Sequence, residues 1–112
     1  MAYKLEKYDI QKLESYWSNQ KELLKELKFR EDELGTTKDN DWKYQNLFRI
    51  IQTIQDIYTS LDDDVRHIVD MRYNERYNTW EDIAEQLFMS KTKVLRIRNK
   101  LLDLTAEKIG WI

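Results

Sequence analysis

Along the first third of the chain, apolar side chains return in steps of three and four. Ile10, Trp17 and Leu24 recur every seventh residue, and Leu13, Leu27 and Leu34 hold the interleaved set with Gln20 in its gap. This spacing predicts one amphipathic helix running to Leu34. Gly35 is placed to end it in the left-handed conformation that glycine adopts without steric cost. "TTKDND" then reads as a loop, and Asp41 as the cap of a second helix. Leu47, Ile50, Ile51, Ile54, Ile57, Tyr58 and Leu61 form a face on that helix broader than a two-stranded seam requires. A short loop between two amphipathic helices implies an antiparallel hairpin over residues 1–60. Each helix carries more apolar surface than the other covers. Packing onto the C-terminal half of the chain would hide the surplus, and so would a homodimer through Trp17, Leu24, Leu27, Ile50 and Ile54.

The same spacing continues through residues 61–112. In "SLDDDVRHIVDMRY", Ser60 or an early aspartate caps a third helix, whose buried stripe is Val65, Ile68, Val69 and Tyr73. "NERYN" interrupts the pattern. Thr79 then caps a fourth helix, with Asp82 three residues on to complete a capping box. Trp80, Ile83, Ala84 and Leu87 share one face, and the small Ala84 leaves room for another helix to cross. "FMS" separates this helix from the next, which Ser90 caps. Strand-like alternation is absent, so the expected fold is all-α with about five helices. Two helices joined by so short a turn, the first with a small inward residue, match a helix-turn-helix. Gly110 suits the left-handed position after the last helix, which brings Trp111 back toward Ala106.

Composition narrows the function. The chain has 112 residues, no proline, two glycines and no cysteine, so disulfides and thiolate metal sites are excluded. The absence of cysteine suits a reducing cytoplasm. "MAYKLEKYDI" lacks the apolar stretch of a signal peptide, and no segment nears the roughly 20 apolar residues of a membrane span. Asp62, Asp63 and Asp64 are accounted for by a helix start, where acids complement the helix dipole. His67, the single histidine, has no nucleophile motif beside it. No catalytic residue, metal site or cofactor is expected.

Charge is distributed unevenly. The formal net charge is -2, yet Ser90–Lys100, "SKTKVLRIRNK", holds five lysines and arginines and no acid. At about 100° per residue, Val94, Ile97, Leu101 and Leu104 gather on one side of a helix. Thr92, Leu95, Arg96 and Asn99 stand roughly opposite, with Lys93 and Lys100 on one flank and Lys91 and Arg98 on the other. That arrangement suits a helix laid in the major groove of double-stranded DNA. Arg96 matches guanine O6 and N7, Asn99 matches adenine, and Leu95 can touch a thymine methyl. The flanking cations would meet phosphates. Asp103 and Glu107 follow only beyond the run, where the helix would leave the groove.

Leu61–Ile112 resembles the promoter-reading fourth region of bacterial sigma factors. It is more similar to the small phage late-gene transcriptional regulators of the RinA and ArpU type. The resemblance rests on "MRY", "TWEDIAEQL", the serine cap with valine four residues on, and the terminal "GWI". It implies a phage or prophage protein, in the cytoplasm of a bacterial host, that binds DNA upstream of late genes and promotes their transcription. Carried over by position, Lys91, Thr92, Leu95, Arg96 and Asn99 face the DNA. One departure is Phe88, at a turn position often held by glycine. Two other functions fit the same features. One is a protein-interaction module whose basic helix meets an acidic surface of RNA polymerase or a sigma factor. The other is a small terminase subunit, although those resemble a reader followed by an oligomerisation region, the reverse of the order here.

Overall fold

The computed structural model describes residues 5–75 and 78–111, and every regular element in them is helical. The α-helices are α1 (Lys7–Ser18), α2 (Gln20–Leu34), α3 (Trp42–Ser60), α4 (Asp63–Val69), α5 (Trp80–Gln86) and α6 (Lys91–Ile109). Local chemistry explains most of their ends. The Asp41 carboxylate accepts from the Tyr44 N–H at 2.8 Å. The Thr79 hydroxyl accepts from the Asp82 N–H, and Asp82 in turn accepts from the Thr79 N–H. Ser90 accepts from the Lys93 N–H at 3.1 Å. Each such cap contributes about 1 kcal/mol. Asp62 is the N-cap of α4, whereas Ser60 still belongs to α3.

The single helix expected to reach Leu34 is two helices. Its path breaks at Asn19, whose φ and ψ are -110° and 28°. The Gln20 side chain donates to the Trp17 carbonyl at 3.0 Å, occupying an acceptor near the break. Gln20, the gap in the apolar stripe, therefore marks where the stripe changes partner. Before it, α1 packs against α6 as well as α3; after it, α2 runs along α3. This division raises the expected five helices to six among the described residues. The expected loop after Gly35 is also more regular than its composition suggests, with 3₁₀ turns over Gly35–Asn40. Past Val69, α4 widens into a π-helical turn, Asp70–Asn74. The interruption expected at "NERYN" falls partly on residues 76 and 77, outside the described residues, as does Ile112.

The main core draws on both halves of the chain. Leu13 and Trp17 of α1 pack with Ile50, Ile54 and Ile57 of α3, Val69 and Tyr73, and Leu101, Leu102, Ala106 and Ile109 of α6. Trp17 is fully buried, and its indole N–H donates to Thr105 Oγ1 at 3.1 Å, across 88 residues of sequence. A second cluster, Leu27, Tyr44, Leu47 and Ile51, holds α2 to α3. The residues that suggested a dimer seam are thus covered inside the chain: Trp17, Ile50 and Ile54 in the main core, Leu27 in the hairpin cluster, and Leu24 half-buried against it. Intramolecular packing, the first of the two expected arrangements, covers these five residues, while Tyr8 on α1, Phe29 on α2 and Trp42 and Phe48 on α3 stay exposed.

At the C-terminus, Gly110 is left-handed at φ 101°, and the Trp111 N–H donates to the Ala106 carbonyl at 2.8 Å. The Trp111 ring stands edge-on to Tyr16 at 6.4 Å, so the last residues described close over α1.

Candidate nucleic-acid interface

A third cluster of Ile68, Ile83, Ala84 and Val94 holds α5 and α6 together over α4. The connection between α5 and α6 is only Leu87–Ser90. The Met89 N–H donates to the Ala84 carbonyl at 2.9 Å and the Phe88 N–H to the Glu85 carbonyl at 3.3 Å. Closing α5 in this way requires a left-handed residue. Phe88 supplies it at φ 55° and leaves its ring 97% exposed. The turn therefore keeps the shape a glycine would give it, with a bulky residue in its place.

The orientation of α6 follows from what covers it. Val94 and Leu101 are buried as expected, while Ile97 and Leu104 are only half-buried. Farther along, the buried residues are Leu102, Thr105, Ala106 and Ile109. The covered side turns along the helix because its first half rests against α5 and its second half against α1 and α3. The uncovered side carries Asn99, Thr92, Arg96, Lys100 and Lys93, in that order around an arc of about 120°. All five are exposed. Among the described residues no carboxylate lies within ion-pair distance of Lys93, Arg96 or Lys100. Leu95 is half-buried at the edge of the arc nearer Lys91 rather than at its centre.

The other flank is engaged within the protein. Lys91 Nζ lies 2.5 Å from Glu81 Oε1 on α5. That ammonium holds the Glu81 carboxyl below the usual carboxylate range. Arg98 is half-buried, its guanidinium 5.5 Å from the centre of the Trp80 ring. Arg72 approaches the same indole at 4.7 Å, and Tyr73 meets it edge-on at 6.3 Å. Arg98 also donates from Nε and Nη2 to Asn99 Oδ1, at 3.1 and 2.9 Å. Of the eight site residues expected from sequence, the structure thus brings Thr92, Lys93, Arg96, Asn99 and Lys100 onto one open face. It seats Leu95 at the edge and turns Lys91 and Arg98 toward α5. The heptad spacing of Lys91 and Arg98 showed that they share a flank; it could not show that Trp80 and Glu81 cover that flank.

Beside Lys100, on the side of the arc away from α5, Leu61, Val65, Ile97, Leu101 and Leu104 line an open apolar groove. Among the described residues no cluster of His, Cys, Asp and Glu is arranged to hold a metal ion, and no helix is long and apolar enough to cross a membrane. The chain belongs to the family described as protein of unknown function (DUF722), whose model matches residues 6–107. No curated protein and no solved structure matches the chain.

Proposed function

We propose that the chain is a sequence-specific DNA-binding transcriptional regulator that lays the first half of α6 in the major groove. The carrying observation is the open arc of Thr92, Lys93, Arg96, Asn99 and Lys100 on a helix whose opposite side is packed against α5, α1 and α3. Lys91–Lys100 is about 15 Å long, which compares with a groove about 12 Å wide. Past it, Asp103 and Glu107 turn the same arc acidic and confine contact to the first turns. In this reading Arg96 and Asn99 face base edges, and Lys93 and Lys100 face phosphates. The resemblance of residues 61–112 to phage late-gene regulators extends the proposal to transcription activation in a bacterial host.

The test is selection from randomised duplexes at about 0.15 M salt, followed by footprinting of the enriched sequence. A single protected sequence supports the reading, and a two-fold repeat within it would report two copies on related half-sites. Recovery of random sequence contradicts it. A second reading, docking on a protein such as RNA polymerase, draws on the fully exposed Phe88 and the apolar groove lined by Ile97 and Leu104. It gains if purified polymerase is retained by the protein and no duplex is enriched.

A further inference from the structure

Asn99 has its carboxamide orientation imposed by a neighbour, and this decides which base it can read. The guanidinium of Arg98 has only donors, so the atom facing it must be the Asn99 oxygen. Both Nε and Nη2 of Arg98 converge on that oxygen, at 3.1 and 2.9 Å. Arg98 is itself held from within: it is half-buried and lies over the Trp80 ring, which Arg72 and Tyr73 also approach. Arg72 is tied in turn to the Asn78 carbonyl at 3.1 Å. The Asn99 NH₂ group is therefore the end left for the groove, and it carries two donors.

We infer that Arg98 is a positioning residue that sets Asn99 to read guanine rather than adenine. Adenine offers an acceptor at N7 and a donor at N6, and pairing with it needs both ends of a carboxamide. Guanine offers two acceptors, N7 and O6, which the outward NH₂ can bridge. Cytosine presents a donor and is refused. The adenine contact expected from the residue type alone is thus replaced, through a neighbour whose own contact runs inward to Trp80 of α5. The inference rests on the DNA-binding reading proposed above.

The experiment repeats the duplex selection with the intact chain and with Asn99→Ala, Arg98→Ala and Arg98→Lys, each checked for helicity by circular dichroism. Asn99→Ala should erase preference at one base pair, which identifies the position. There the intact chain should take guanine over adenine by about fivefold or more. Arg98→Ala, which frees the carboxamide, should turn that one preference toward adenine. Arg98→Lys keeps a donor on the Asn99 oxygen and should retain guanine. If Arg98→Ala does not fold, 7-deazaguanine at the identified position decides with intact protein: it should weaken binding to the intact chain and leave Asn99→Ala unaffected. Adenine at that position for the intact chain overturns the inference. So does guanine retained by a folded Arg98→Ala, or insensitivity to 7-deazaguanine. If Asn99→Ala changes no position while a sequence is still enriched, the inference falls and DNA binding stands. Enrichment of nothing by the intact chain removes both.

Discussion

Replacing Phe88 by glycine should make the protein more stable, although a large apolar side chain is lost. The backbone there is left-handed, at φ 55°. For a residue with a Cβ, that conformation costs about 1–2 kcal/mol. Glycine removes the cost but returns about 0.5–1 kcal/mol through the greater freedom of its unfolded chain. The ring contributes almost nothing to set against this, because Phe88 is 97% exposed. The net gain is about 0.5–1 kcal/mol, or roughly 2–4 °C in Tm for a chain of this size. Phe88→Ala separates the two contributions, since it deletes the ring and keeps the Cβ; it should lie within about 0.5 kcal/mol of the original protein. Urea unfolding followed by circular dichroism measures both. If glycine destabilises the protein, or alanine costs more than about 1 kcal/mol, the ring is packed against something and the turn is not strained as argued.

Three further outcomes follow from the packing. Thr105→Val strands the buried Trp17 indole N–H without its acceptor and should cost about 1–3 kcal/mol in urea unfolding; a neutral substitution would mean that the Trp17–Thr105 bond does not help lock α1 to α6. Burial, and then the Glu14 carboxylate to which it donates, push the Tyr73 phenol well above its ordinary 10.0. A raised folded pKa means this stabilisation is complete below about pH 10 and is lost as the unfolded state ionises above it. Tm should therefore fall above about pH 10, and less steeply in Tyr73→Phe, where Tyr16, Tyr44 and Tyr58 still contribute in the same direction. Glu81→Gln releases Lys91 and removes a negative charge beside α6, so binding to selected and random duplexes should strengthen alike in fluorescence anisotropy; no change, or a loss, would show that Glu81 does not restrain Lys91.

The helix ends were legible in the sequence because they are decided locally. Asp41, Thr79, Ser90 and Gly110 act on N–H and C=O groups within a few residues, so residue type and spacing suffice. The break at Asn19 was not legible, because neither glycine nor proline marks it. It arises where α1 and α2 follow different neighbours, and Gln20 was the one local sign. A similar cause hid part of the α6 core. A fixed angular count placed Leu104 inside and overlooked Leu102, Thr105 and Ala106, whereas a helix spanning two neighbours turns a different side to each. In the site, the outward positions of Thr92, Arg96 and Asn99 followed from periodicity alone. The engagement of Lys91 by Glu81 and of Arg98 by Trp80 depends on how α5 crosses α6, which periodicity within one helix does not contain.

The central claim is that one face of α6 reads DNA, and its most direct test compares Arg96→Ala with Lys93→Ala on the selected duplex and on random duplex across a series of salt concentrations. Arg96 should lose about 1–3 kcal/mol on the selected sequence and much less on random DNA. Lys93 should weaken both alike and reduce the slope of log affinity against log salt by about 0.9. Equal losses for the two variants on both duplexes would reduce the face to a nonspecific electrostatic contact, and no loss from either would mean that it does not touch DNA.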